Sequence, residues 1–124
     1  MQNFIAVAIG GATGSILRYG VILLTVRTLG AMPYYATLAV NLLGCLVMGF
    51  FAETVLVKAN LPESVKLLAT TGLLGGFTTF SSFAFDTGRM LNEGMSATAL
   101  VYVLVSVTGG IALFFVGLSL AKFA

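Results

Sequence analysis

At 124 residues the chain is one domain's worth, and 59% of it is hydrophobic against 8% charged. An ordinary soluble domain carries about 25% charged residues, so this composition, with a mean hydropathy of +1.09, excludes a soluble monomer. Six Lys and Arg against four Asp and Glu leave a net charge of +2 and no basic stripe, which excludes a nucleic-acid binder. There is no histidine, the commonest general base and metal ligand. The single cysteine, Cys45, rules out an intrachain disulfide or a Cys-cluster metal site and is expected to be dispensable. What remains is an integral membrane protein.

A helix crosses a bilayer with about 20 mainly apolar residues. Segments 4–26, 34–57, 65–85 and 97–120 meet that requirement, and the chain reads as a single four-span membrane domain over 1–124. The connections 27–33, 58–64 and 86–96 are short and turn-like, and Pro62 suits a helix start. The opening Met1-Gln2-Asn3 has no positive charge and Arg18 interrupts the first apolar run, both of which speak against a cleaved leader. Lys and Arg collect on the cytoplasmic side of a membrane protein. Here Lys58, Lys66 and Lys122 fall on one side, and Arg27 and Arg89 on the other, with Arg18 just past the middle of span one. So balanced a count fixes no single orientation. It is either the noise of a small protein or the mark of a chain that inserts both ways and pairs with an inverted copy of itself.

Polar groups within a span are costly and each calls for a reason. In span one, Ala6, Gly10, Gly14 and Arg18 share a face that is small and then cationic. Arg18 either snorkels to the interface or draws anions into a vestibule. In span two, Asn41 is the only amide within a span, set for an interhelical hydrogen bond or an ion path, with Gly44 leaving room beside it. Span three is the least regular. Gly72, Gly75 and Gly76 weaken the helix, Thr78, Thr79, Ser81 and Ser82 follow, and a break there would expose carbonyls around Gly75 and Thr78. Phe77, Phe80 and Phe83 recur at i+3, and the positive edge of a Phe ring can receive an anion without a formal charge. In span four, Thr98, Tyr102 and Ser106 form a hydroxyl stripe, suited either to interhelical bonding or to replacing an ion's hydration shell.

The absences narrow the function. No carboxylate is central in any span, whereas a proton-coupled antiporter needs an embedded acid. A membrane hydrolase needs a nucleophile with a base, or metal ligands, and neither set is visible, so the chain does not read as an enzyme. The GGATG at 10–14 lacks the Lys-Ser/Thr ending of a phosphate loop and lies inside a span.

The glycine-rich start with Leu17-Arg18-Tyr19, the VNLLG at 40–44 and the GLLGGFTTFSSF at 72–83 resemble the Fluc (CrcB) fluoride channels, and the third motif is the specific one. The resemblance covers all four spans and implies an all-α integral membrane protein with a broken third helix. It further implies an antiparallel, dual-topology homodimer with two pores, in the inner (plasma) membrane of a prokaryote. Passive, selective export of cytoplasmic fluoride is then the expected activity. Asn41 matches the family's pore asparagine, Phe80 and Phe83 its pore phenylalanines, and Arg18 its span-one arginine. Thr79 and Ser81 lie in the same motif and are taken with the pore, and Tyr102 and Ser106 match the start of its hydroxyl track. Gly75 and Thr78 match positions whose backbone carbonyls, from both subunits, hold a structural sodium ion. The track is shorter in this chain, which has Gly110 and Phe114 at its next positions, and Asp86 stands where relatives often carry Glu. The expected partners are fluoride, sodium, a second copy of the chain and the lipid bilayer, with no nucleic acid. The runner-up is a small proton-coupled multidrug antiporter, and a structural subunit without transport of its own is a third class.

Overall fold

The computed structural model describes residues 1–30 and 32–123. The described residues are almost wholly helical, with no strand among them. Four of the helices are long and apolar enough to cross a membrane: Gln2–Leu29, Pro33–Lys58, Glu63–Asn92 and Ser96–Phe123. Each is slightly longer than the apolar run that predicts it. Gly30, in the left-handed region at φ 58°, ends the first helix, and Pro33 opens the second with its φ already set for a helix.

The largest departure from the predicted boundaries is at the end of the third span. Residues 86–92, read from the sequence as connection, are helical, and only a short turn around Gly94 at φ 76° separates the last two spans. Apolarity stops at Phe85 because a bilayer limits how long a segment must be greasy, not how long it can be helical. The polar extension is held by Met90, 2% exposed, which packs with Ala99 and Tyr102 of the fourth span. An exposed Arg89–Glu93 ion pair at 2.9 Å adds to it, at about 0.3–0.5 kcal/mol for an i,i+4 pair.

Small residues set the packing. Ala6, Gly10 and Gly14 are buried, on one face of the first helix, against the start of the third span. A Cβ on Gly14 would run into the Leu73 carbonyl, so only glycine allows this approach. The second and fourth spans meet in the same way, with Gly117 on the Leu46 carbonyl and Gly49 on that of Phe114. Lysine side chains tie one end of the bundle: Lys58 Nζ donates to the Ala121 carbonyl at 2.6 Å and Lys66 Nζ to that of Leu56 at 3.3 Å. Many large side chains stay exposed, among them Phe4, Ile16, Phe80, Phe85 and Phe115. An apolar surface of that extent suits lipid or another chain, not water.

Candidate functional site

The site grows from an interruption inside the third span. Helix runs to Phe77 and resumes at Phe80, while Thr78 (φ −81°, ψ 158°) and Thr79 (φ −152°, ψ 118°) are extended. Two side-chain systems hold these residues. Asn41, from the second span, bonds both backbone groups of Thr79: its Nδ2 donates to the Thr79 carbonyl at 2.9 Å, and the Thr79 N–H donates to its Oδ1 at 2.8 Å. Thr79 then caps the resumed helix, its Oγ1 accepting from the Ser82 N–H at 3.2 Å and lying 3.2 Å from Ser81 Oγ. From the first span, Arg18 Nη1 donates to the Thr78 carbonyl and Ser15 Oγ to that of Gly76, each at 3.5 Å.

The interruption has a consequence for the carbonyls. The Thr79 N–H, which would serve the Gly75 carbonyl in an unbroken helix, goes to Asn41 instead. Gly75 therefore presents a carbonyl without its usual i+4 partner, and the Thr78 carbonyl receives only the long contact from Arg18. Neutral carbonyl oxygens of this kind are the donor set that suits a hard monovalent cation, and broken membrane helices supply it. Among the described residues no group of three or more Cys, Asp and Glu side chains comes together for a metal.

Beside the interruption lies a cavity of about 340 Å³. Its wall includes Asn41, Thr78, Thr79, Phe80, Phe83 and Ser106, together with Gly44, Cys45, Met48, Leu74, Val107 and Phe114. Phe80 is in the wall and yet 80% exposed, so the cavity opens on the outside of the chain. The Phe80 and Phe83 rings are 5.4 Å apart, Phe83 stacks on Tyr102 at 5.5 Å, and Tyr34 meets Tyr102 edge-on at 6.2 Å. The cavity wall has no carboxylate and no cationic side chain, only hydroxyls, one amide, one thiol, aromatic rings and apolar groups.

Not every residue singled out from the sequence faces this cavity. Tyr102 sits behind Phe83, 5% exposed, and its hydroxyl donates to Asp86 Oδ2 at 3.3 Å. Ser81 is exposed and tied to Thr79. Arg18 touches the interruption by way of the Thr78 carbonyl and is absent from the cavity wall, as is Gly75. Thr98 is exposed, so the hydroxyl stripe turns inward only from Tyr102. The i+3 series of phenylalanines does not form one face, because Phe77 belongs to the segment before the interruption and Phe80 and Phe83 to the helix after it. Ser106 lies in a turn of π-helix, Val105–Gly109, a widened geometry frequent at functional sites. The pair of hydrogen bonds between Asn41 and Thr79 is the feature sequence reasoning misses: an amide in a span signals a partner, but not which one.

Comparison with known proteins gives a consistent picture. The profile of the family described as CrcB-like protein, Camphor Resistance (CrcB), matches residues 5–118. A fluoride-specific ion channel FluC from Chloroflexus aurantiacus is 39% identical over 122 residues, covering 98% of this chain and 97% of the relative. Proteins of the same name from Allorhizobium ampelinum (40% over 122 residues, 98% of both chains) and from a Methylobacterium species (44% over 112 residues, 90% of both) are similar to the same extent.

Proposed function

The chain belongs to the CrcB family, and from that premise we propose that it is a passive, selective fluoride channel that lets cytoplasmic fluoride leave down its electrochemical gradient. It is a multi-pass membrane protein and a channel, not an enzyme. The observation that carries the reading is the cavity beside Thr78 and Thr79, walled by hydroxyls, an amide, a thiol and aromatic rings without a formal charge. Such a wall can strip part of a small anion's hydration shell and still release the ion, which a fixed cation would hold too tightly. Hydrogen fluoride is a weak acid that crosses bilayers neutral and ionises in the less acidic cytoplasm. A negative-inside potential then drives the anion out, at about 2.3 kcal/mol per charge per 100 mV. No fuel is needed.

In this reading Asn41, Phe80, Phe83, Thr79 and Ser106 line the path, Ser81 and Tyr102 flank it, and Arg18 draws anions toward it. The working unit is an antiparallel homodimer of a single four-span domain, inserted in both orientations and holding two pores, in the inner membrane of a prokaryote. The near-even charge count and the outward opening of the cavity at Phe80 support it. The third span acts as a broken helix, and the carbonyls of Gly75 and Thr78, doubled by a second chain, would hold a structural sodium ion at the dimer centre. The freed Gly75 carbonyl supports that assignment. An antiporter mechanism has no support, because no acid lines the cavity.

The test is fluoride efflux from liposomes holding the purified protein, read with a fluoride electrode, with chloride as the comparison. Fast, valinomycin-dependent fluoride loss without matching chloride loss is expected. Well-folded protein that releases no fluoride would overturn the proposal.

A further inference from the structure

Tyr102 and Ser106 are one helical repeat apart, and the next position in that register is Gly110, which has no side chain. The second span fills the gap. A Cβ placed on Gly110 would lie 3.3 Å from the sulfur of Cys45, and Cys45 and Ser106 line the same cavity. Ser106 Oγ is buried there and has no hydrogen-bond partner among the described residues. Buried hydroxyls are seldom left unpartnered, so this oxygen is available to a partner that the described residues do not supply. A thiol is a weak donor and weak acceptor that stays neutral and packs as a small apolar group. It can turn a partial positive charge toward an anion and still fit among Met48, Leu74 and Phe114.

We propose that Cys45 is a wall group of the anion path, its thiol taking the place in the polar file that Gly110 leaves open. The proposal rests on the channel reading above and names a further residue for it. It reverses the expectation that Cys45 is dispensable. That expectation followed from its isolation in the sequence, whereas its neighbours in space are a bare glycine and an unpartnered serine.

Cys45 is the only cysteine, so a thiol reagent marks one site. Protein in liposomes is treated with methyl methanethiosulfonate. The Cys45 thiolate attacks the reagent's sulfenyl sulfur, methanesulfinate leaves, and a methylthio group remains as a mixed disulfide that dithiothreitol removes. Labelling is followed by intact mass and conduction by fluoride efflux. Complete labelling is expected to slow efflux about tenfold or more, because the added group crowds the path beside Ser106, and reduction is expected to restore it. Cys45→Ser, which keeps a donor, should conduct faster than Cys45→Ala and ignore the reagent. Full labelling with unchanged efflux would overturn the proposal. So would a thiol that stays unlabelled in conducting protein, or equal efflux through the alanine and serine variants. Absence of fluoride efflux before any reagent is added would instead strike the channel reading itself.

Discussion

Asn41 gives both ends of its amide to the backbone of one residue, Thr79, and this assigns it more than a place in a wall. Asn41→Asp keeps an acceptor for the Thr79 N–H but turns a second oxygen toward the Thr79 carbonyl, which loses its donor. Leaving a buried carbonyl unpaired costs about 1–3 kcal/mol, and the new charge sits beside an anion path. Asn41→Asp should therefore lower both the thermal unfolding temperature and fluoride efflux. If efflux falls while unfolding does not move, Asn41 lines the path without holding Thr79. The phenylalanines separate in the opposite sense. Phe80 is 80% exposed, so Phe80→Ile should leave stability unchanged while reducing efflux, since an alkyl group has no positive edge. Phe83→Ile removes the stacking on Tyr102 as well, worth about 0.5–1.5 kcal/mol, and should lower both. Unchanged efflux through both variants would remove the ring-edge argument.

Between elements, glycines decide how close the helices come. Gly14→Ala would drive a methyl into the Leu73 carbonyl, and overpacking of this kind costs about 1–3 kcal/mol. Gly20, on the same helix, has nothing within 4 Å of its would-be Cβ, so Gly20→Ala should be neutral or slightly stabilising. Thermal unfolding in detergent of the two variants checks the contrast, and equal effects would mean that this seam is not close-packed. Much of this was legible in the sequence. The four spans follow from apolar length, and the buried face of Ala6, Gly10 and Gly14 follows from their spacing of four. The site was legible only as a list. Thr78 and Thr79 stand out as hydroxyls after a glycine cluster, but their extended backbone is held by Asn41, 38 residues away in the chain. The spacing of Phe77, Phe80 and Phe83 assumes one continuous helix and misleads once the backbone leaves it. Cys45 carries no local signal, because its neighbour Gly110 is 65 residues away in the chain and close only in space.

For the molecule as a whole, the exposed edge of the cavity and the near balance of charge bear on the same question. A cavity whose wall includes a ring 80% exposed lies open along one side of this chain, and the proposed inverted second copy would cover it. Such a pair forms only if one sequence inserts in both directions. Lys58, Lys66 and Lys122 at one end nearly offset Arg27 and Arg89 at the other, so a few added charges should tip the population. Asn60→Lys with Ser64→Lys biases that end toward the cytoplasm, and Asn92→Lys with Ser96→Lys biases the opposite end. Each double variant expressed alone should insert one way, lack its partner and give cells little fluoride resistance. Expressed together, the two supply both orientations and should restore resistance and efflux, although neither carries a change in the cavity wall. Full activity from either variant alone, with its single orientation verified by end labelling, would show that one chain, or a parallel pair, conducts without an inverted copy. Loss of activity that co-expression does not restore would place the damage in folding and not in orientation.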